Sequence, residues 1–232
     1  MPDVSNFASH VVLSPHPDDA VLSLGACMSA WRRMGQAVTV VTFFDGAPEG
    51  PLTPAAVEDR SRYDDDPVML RQLEDRRAVA TLGAQLHSVG FEELVYRRRP
   101  DGSPRCLSLE DIFGPLSADD DVVIERVAQV LRDLPYDGEV HVPLAIGGHS
   151  DHRIVRVAAE RVFSRLHFYE DLPYAIREST TEPSVRWPAL LASDVDAWIA
   201  AIKVYDSQIG NLFEGVAWEA GFRQFAAIKT SI

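Results

Sequence analysis

Near its start the chain has a short apolar run, a stretch with helical spacing of apolar residues, and a second apolar run. Residues 10–14 (HVVLS) predict a short buried strand, and residues 20–34 predict a helix that Gly35 ends. Residues 37–43 are continuously apolar and rich in β-branched side chains, which is typical of a strand covered on both faces. A strand, a helix and a strand in one short span predict a βαβ unit and a parallel sheet.

Strands and helices are predicted to alternate through the remainder of the chain. Asp66 is a candidate N-cap before Pro67, and these residues predict a helix over 68–82 that Gly83 ends. Further strands are predicted at 85–89, 139–143 and 167–169, and further helices at 122–134, at 150–166 with Ser150 as the cap, and at 193–207. Residues 46–63 and 97–121 are predicted to be loops, the second a long excursion that covers a site. The predicted fold is a single α/β domain over residues 1–232, with a Rossmann-like, doubly wound, mostly parallel sheet in a three-layer α/β/α sandwich.

Composition limits the classes of partner. The 232 residues suit one sizeable domain, and no apolar run approaches the roughly 20 residues that span a bilayer. Cys27 and Cys106 have neither disulfide-framework nor metal-pair spacing, and no secretory signal is evident, so a cytoplasmic location is expected. The formal charge of −13 argues against nucleic-acid binding, because phosphate backbones attract clustered Lys and Arg. The expected partner is a small molecule, and the sequence is compatible with a homo-oligomer.

The richest local feature is the pentapeptide PHPDD at residues 15–19, directly after the first predicted strand. Open α/β sheets bind ligands at the carboxyl ends of their strands. The two prolines stiffen the turn that carries the imidazole of His16 and the carboxylates of Asp18 and Asp19. Because successive side chains point in different directions, the two aspartates are expected to have different roles. The alternative is that one aspartate only caps the following helix and His16 is a solvated turn residue.

A second polar turn, GGHSDH at residues 147–152, also follows a predicted strand and precedes a predicted helix. His149 and His152 are three residues apart and therefore lie on one side of the first helical turn. Together with His16 and Asp19 at the same edge of the sheet, they form a set of imidazoles and a carboxylate that is typical of a metal site. Such ligands suit Zn²⁺, Fe²⁺ or another divalent ion, so the spacing leaves the metal open.

Two other enzyme classes are disfavoured because their motifs do not occur. The first strand-to-helix turn is not the G-x-G-x-x-G of a dinucleotide-dependent oxidoreductase, and there is no G-x-S-x-G elbow of a serine hydrolase. A metallophosphoesterase uses the same types of ligand and stays open on the residues alone.

The two histidine motifs together resemble the signature of the LmbE/PIG-L family of N-deacetylases. That family includes deacetylases of N-acetylglucosaminyl phosphatidylinositol, of mycothiol precursors and of antibiotic intermediates. Weaker likenesses are RQLE at 71–74 before LG at 82–83, YEDLPY at 169–174, and YDSQ at 205–208. The resemblance extends over residues 11–208. It implies an amidohydrolase, with zinc as the expected cofactor, that removes an N-acetyl or other acyl group from an amino sugar or a glycosylated metabolite.

Carried over to this chain, the family pattern makes His16, Asp19 and His152 the metal ligands. Asp18 becomes the general base that takes a proton from water, which a metal makes more acidic near neutral pH. His149 becomes the catalytic residue that stabilises the oxyanion as a cationic imidazole, or that gives a proton to the departing amine.

The chain departs from the family pattern in the first helix. Ala20 stands where the family usually has glutamate, and residues 24–26 (LGA) stand where a pair of glycines is common. No expected ligand is lost, but the first helical turn lacks a side chain that would otherwise support the ligands. Asp151 is a candidate for orienting a histidine from outside the ligand set. The alternative functions are a deacylase of a non-sugar amide and a non-catalytic binding module.

Five further residues are candidates for substrate contact: Asp45, Arg71, Glu170, Asp171 and Tyr174. Each has a structural alternative. Asp45 precedes a glycine, which is an ordinary arrangement in turns. Arg71 is correctly spaced to pair with Glu74 on the same helix. The residues at 170–174 follow a strand and are also suited to a buried polar network.

Other conspicuous side chains are expected to be structural. Trp31 and Trp198 lie within predicted helices as core residues, and Cys27 lies on an apolar helix face as a buried thiol. The three arginines at residues 97–99 are expected on a solvated loop. The histidines in or beside predicted strands are also expected to be structural: His10, His87, His141 and His167.

Overall fold

The computed structural model describes residues 9–63, 66–135, 138–177, 185–213 and 217–230. Within these ranges five strands form one parallel sheet: β1 Ser9–Ser14, β2 Ala37–Thr42, β3 Gln85–Ser88, β4 Glu139–Pro143 and β5 His167–Tyr169. Their order is β3-β2-β1-β4-β5. The chain therefore reverses its direction of strand addition between β1 and β4, which is the point where open α/β sheets form a ligand crevice.

Helices cover both faces of this sheet. They are α1 Asp19–Arg33, α2 Pro54–Arg60, α3 Pro67–Thr81, α4 Asp121–Asp133, α5 Ser150–Val162, α6 Tyr174–Arg177, α7 Ala192–Ile202, α8 Asp206–Leu212 and α9 Trp218–Thr230. On one face α1, α3, α7 and α9 enclose a core that includes Val12 and Val40. On the other face α4 and α5 pack over Leu13 and Val142. The predicted three-layer, doubly wound architecture is confirmed. No helix in the described ranges is long and apolar enough to cross a membrane.

The predicted signals for the ends of α1 and α3 are confirmed. Oδ1 of Asp66 accepts the N–H of Val68 at 3.0 Å, and Pro67 is the first residue of α3. Gly35 and Gly83 follow the two helices with φ of 81° and 68°, the left-handed conformation that favours glycine at this position.

Several predicted elements were wrong in extent. The segment 46–63 is not all loop, because α2 forms within it after Thr53, whose hydroxyl accepts the N–H of Ala56. The helix predicted over 193–207 is two helices, α7 and α8, and α5 ends at Val162. Sequence reasoning missed α9, although its aromatic residues recur at helical spacing: Trp218, Phe222 and Phe225.

Gly25 lies where α1 packs most closely against α7. A Cβ added to Gly25 would lie 2.3 Å from Cδ1 of Trp198. The indole of Trp198 is fully buried, and its Nε1 donates to the carbonyl of Val21 at 2.7 Å. The ring therefore has no room to move away from an added methyl group, and Trp198 is a core residue as predicted.

We expect Gly25→Ala to lower the free energy of unfolding by about 1–3 kcal/mol, because crowding at Trp198 outweighs the roughly 1 kcal/mol by which alanine favours a helix over glycine. Urea denaturation followed by circular dichroism measures the difference. Gly210→Ala in α8 is the matched control, because nothing lies within 4 Å of its added Cβ. The control is expected to gain up to about 1 kcal/mol, and an equal gain at Gly25 would contradict the prediction.

Candidate active site

Both polar turns lie at the carboxyl edge of the sheet, on adjacent strands. Residues 15–18 connect β1 to α1, residues 144–149 connect β4 to α5, and β1 pairs with β4 in parallel. One nitrogen from each of His16, His149 and His152 lies within 4.8 Å of the others. The structure therefore brings the two motifs together at the strand-order switch point.

The carboxylate of Asp19 lies between two imidazoles. Its Oδ2 is 3.2 Å from Nδ1 of His16 and 3.2 Å from Nε2 of His152. The same oxygen accepts the backbone N–H of His16 at 2.8 Å, which closes the turn. All three side chains are buried. Two imidazole nitrogens and one carboxylate oxygen in this arrangement fit the three protein ligands of a catalytic zinc site.

A further buried carboxylate holds the second nitrogen of each of these histidines. Nε2 of His16 is 3.1 Å from Oδ2 of Asp151, and Nδ1 of His152 is 2.6 Å from Oδ1 of Asp171. A carboxylate in this position fixes the tautomer and ring orientation of a metal-binding histidine. Asp171 was predicted to contact substrate, but its other oxygen accepts the N–H of Ile146 at 2.9 Å. The geometry favours a positioning role for Asp171 behind His152.

Arg97 forms a buried ion pair with Asp151, the carboxylate that contacts His16. Its guanidinium forms an ion pair with Oδ1 of Asp151 and lies 4.9 Å from the ring centroid of Phe44. Burial alone would raise the pKa of Asp151, but Arg97 and the bond to His16 outweigh burial and hold this pKa below its usual range. The prediction that Arg97 lies on a solvated loop was wrong, because the residue is only 8% exposed.

Asp18 lies beside this cluster and is held in an unusual backbone conformation. Its φ is 108°, in the region that favours glycine, and its N–H donates to Oδ1 of Asp75 at 3.4 Å. Burial and the neighbouring charge of Asp19 raise the pKa of the Asp18 carboxyl well above its ordinary value. A carboxylate with a raised pKa is suited to accept a proton near neutral pH.

A buried polar network that the sequence did not predict supports the backbone of Asp18. Asp75 accepts a hydrogen bond from the hydroxyl of Tyr205 at 2.6 Å and another from Thr42 at 3.0 Å. Burial raises the pKa of Asp75 to about 6. No local signal marks this residue, because it stands among the many charged positions of α3.

His149 is the N-cap of α5, a role that was predicted for Ser150. Its Nδ1 accepts the N–H of Asp151 at 3.1 Å, whereas Ser150 donates its hydroxyl to the carbonyl of Gly114 at 2.9 Å. Burial and the charge of His16 lower the pKa of His149 well below its ordinary value. Because Nδ1 is the acceptor of this bond, a neutral imidazole at this position carries its proton on Nε2.

His16, Asp19 and His152 lie close enough to shift one another's pKa values. Burial would lower the pKa of His16, but its bonds to Asp151 and Asp19 outweigh burial and raise this pKa to about 9. Contacts with Asp19 and Asp171 likewise raise the pKa of His152. Burial would raise the pKa of Asp19, but the two imidazoles lower it well below its ordinary range. Because metal ligands must be deprotonated, a metal and a proton would compete for these imidazole nitrogens.

A cavity of about 150 Å³ opens over the cluster. Its wall includes residues from both motifs and from distant segments: His16, Asp18, Asp19, Leu22, Asp59, Arg62, Tyr63, Arg71, Glu93, Ile112, His149, His152, Leu172, Pro173, Tyr174, Gln208 and Leu212. Sequence reasoning did not identify Asp59, Tyr63 or Glu93. Asp59, in α2, and Tyr63 lie in the segment 46–63 that was predicted to be a loop, and Glu93 lies outside the helices and strands. Gln208 was noted only as part of a late family-like segment.

The residues predicted to contact substrate divide into two groups. Arg71 and Tyr174 line the cavity, and Arg71 pairs with Glu93 instead of Glu74. Asp45 and Glu170 are not part of the described cavity wall. The carboxylate of Asp45 accepts from Ser88 and from the N–H of Gly90, and Glu170 forms an ion pair with Lys229. The structural alternative therefore describes Asp45 and Glu170 better than substrate contact does.

Ala20 has no polar side chain with which to support the first turn of α1, and Ser14 makes the hydrogen bonds there instead. The side chain of Ala20 is buried in the core, and its N–H donates to Oγ of Ser14 at 3.0 Å. The same hydroxyl donates to the carbonyl of His16 at 2.7 Å. Ser14 thus ties the turn to the start of α1 at the position where the family pattern departs.

The sequence matches that of known deacetylases over most of the chain. Residues 11–163 match the family described as PIG-L, GlcNAc-PI de-N-acetylase. The chain is 30% identical over 183 residues to 2'-N-acetylparomamine deacetylase of Niallia circulans, which covers 70% of this chain and 66% of that protein. It is 31% identical over 174 residues to the Streptomyces fradiae protein of the same name, which covers 71% of this chain and 57% of that one. The matched part thus spans less than two thirds of either relative.

Solved structures show the same architecture. The zinc-inhibited form of teicoplanin deacetylase superposes with a TM-score of 0.77 at 29% sequence identity. The superposition covers 88% of this chain and 86% of that one. Both strand-end turns lie within residues 11–163, the part of the chain that matches the family.

Proposed function

Because the chain belongs to the PIG-L family of GlcNAc-PI de-N-acetylases, we propose that it is a metal-dependent N-deacetylase. The observation that carries the proposal is the arrangement of His16 and His152, each held between Asp19 and a buried carboxylate of its own. We propose zinc as the metal, since the nitrogen and carboxylate ligands suit it, as they also suit Fe²⁺.

The side chains divide the steps of amide hydrolysis among them. A divalent metal would be held by His16, Asp19 and His152, where it would supply Lewis acidity towards the amide carbonyl and make water more acidic. Asp18 accepts a proton from the attacking water, as its raised pKa allows. Nε2–H of His149 donates a hydrogen bond to the carbonyl oxygen as charge develops there. The proton that Asp18 takes from water then passes to the departing amine, and acetate and free amine leave the site.

The proposed substrate is an N-acetylated amino sugar or a glycosylated metabolite. Relatives of this chain are named as deacetylases of 2'-N-acetylparomamine and of teicoplanin. The cavity of about 150 Å³ is smaller than the roughly 300–1,000 Å³ of complete ligand sites, so it accommodates the acyl group and its nearest atoms. Arg71, Tyr63 and Tyr174 on its wall are suited to bind sugar hydroxyls.

Amine release from a panel of acetamides tests this proposal. We expect turnover of N-acetylglucosamine derivatives and N-acetylated aminoglycoside fragments, loss of turnover with a chelator, and recovery when Zn²⁺ is added. A protein that never binds divalent metal would refute the hydrolase function and favour the binding-module alternative. Release of amine only from non-sugar acetamides would leave the hydrolytic site in place and refute the sugar substrate.

A further inference from the structure

A second group of metal-type ligands lies at the opposite, amino-terminal edge of the sheet. Glu139 and His141 are two residues apart on β4 and therefore project from the same face. His10 on β1 is the register partner of Glu139. One ligand atom from each of these three residues lies within 4.8 Å of the others. The group shares no residue with the candidate active site, where the strands end.

The separations between the ligand atoms suit a single ion. Nδ1 of His10 is 3.0 Å from Nε2 of His141 and 3.6 Å from Oε2 of Glu139. Two ligands on a tetrahedral zinc ion are about 3.3 Å apart, since Zn–N distances are roughly 2.0–2.1 Å. These two separations lie on either side of this value, and the ligand atoms of Glu139 and His141 lie within 4.8 Å of each other.

Hydrogen bonding orients His10 towards this group. Its Nε2 is 3.2 Å from Oε1 of Gln36, a carbonyl oxygen that accepts the imidazole N–H. In that tautomer Nδ1 of His10 carries a lone pair, which faces the carboxylate of Glu139. The same lone pair lies 3.0 Å from Nε2 of His141 and accepts its N–H when no cation is present. An outer hydrogen bond on the second nitrogen is also usual for a metal-binding histidine.

His141 contributes its Nε2 to the group. When Nε2 binds a cation, the imidazole proton lies on Nδ1. That nitrogen is buried and has no hydrogen-bond partner among the described residues, so His141 lacks the kind of outer hydrogen bond that orients His10.

The surroundings hold His10 in place and leave one side of the group open. Trp31 stacks on His10 with 3.9 Å between ring centroids. The side chain of Glu139 is 45% exposed, which gives an ion access from solvent. Two imidazoles and one carboxylate favour a transition metal over Ca²⁺ or Mg²⁺.

We propose that His10, Glu139 and His141 form a second site for a divalent transition metal, which joins β1 to β4 at the edge of the sheet away from the active site. A metal that binds only the folded chain stabilises it in proportion to its occupancy. The site adds a structural metal to the molecule, and it does not depend on the proposed hydrolytic function.

Counting zinc equivalents tests the second site. After dialysis against micromolar ZnCl₂, elemental analysis is expected to find two equivalents in the wild-type protein and one in Glu139→Gln. His87→Gln is the matched control, because it removes an exposed imidazole from β3 and is expected to keep two equivalents. Amine release by Glu139→Gln is expected to equal that of the wild type. An unchanged number of equivalents in Glu139→Gln would overturn the proposal.

A variant without the active-site ligands separates the two sites. His16→Ala/His152→Ala is expected to bind one equivalent of Co²⁺, with the visible absorption of a four-coordinate ion, and to lose it when Glu139→Gln is added. Zinc is expected to raise the Tm of the first variant and not of the second. No cobalt binding by a folded His16→Ala/His152→Ala protein would overturn the second site and leave the hydrolase proposal untouched. If that variant does not fold, the wild-type and Glu139→Gln zinc counts decide.

Discussion

Asp18→Asn is expected to lower kcat/KM for amide hydrolysis by about 10²–10⁴-fold, the usual contribution of a general base. Asparagine has nearly the same shape and keeps the backbone bond to Asp75, but it cannot accept a proton from water. The metal is expected to stay, because the proposed ligands are His16, Asp19 and His152. Steady-state kinetics on an N-acetylated amino sugar, with metal analysis of the same samples, measures both effects.

Asp59→Asn is the matched control for this prediction. Asp59 also lines the cavity as a carboxylate, but its nearest ionic partner is Arg62 at 3.8 Å, and it lies outside the proposed ligand set. Its substitution is expected to change kcat less than tenfold. Release of the metal by Asp18→Asn would show that Asp18 is itself a ligand, and an equal loss of kcat in both variants would refute a specific role for Asp18 as the base.

His152→Ala is expected to abolish hydrolysis to the level of buffer, because it removes one of three proposed ligands and leaves the charge of Asp171 without its partner. Asp171→Asn is expected to have a graded effect, since loss of an outer partner weakens metal affinity by about 10–100-fold. The Zn²⁺ concentration that gives half-maximal activity after chelation measures this affinity. Because activity is the readout, this concentration reflects metal affinity at the active site alone, whatever metal is bound elsewhere.

Added zinc distinguishes the two substitutions. Excess Zn²⁺ is expected to restore most activity to Asp171→Asn and none to His152→Ala. Wild-type activity in His152→Ala would refute its role as a ligand. A complete and irreversible loss in Asp171→Asn, with the fold intact by circular dichroism, would instead place Asp171 in the chemistry and contradict its positioning role.

The location of the site was predictable because each motif is local. Residues 15–19 and 147–152 each follow an apolar run and precede a helical pattern. In a parallel α/β sheet, all such strand-to-helix turns lie at one edge, so two turns more than a hundred residues apart were expected together. The confirmed starts and ends of α1 and α3 follow from the same local signals.

The partners of each polar atom were not predictable in this way. Arg97 looks like its two neighbours in an arginine run, yet it turns inward to Asp151. Asp75 resembles the solvated charges of α3, yet it is buried against Tyr205. In both cases the deciding contact is with a residue more than 50 positions away, and charge patterns within one segment carry no information about it.

The sequence by itself determined the doubly wound fold, the edge of the sheet at which the two polar turns meet and the histidine and aspartate residues found there, because the period of apolar residues and the composition of turns reflect local burial. Only the tertiary structure decided which carboxylate orients which imidazole, which proton His149 carries, and that His10 meets Glu139 and His141 at the other edge of the sheet. These outcomes depend on strand order and register, since β1 acquires β4 as its neighbour only after the chain has returned across the sheet.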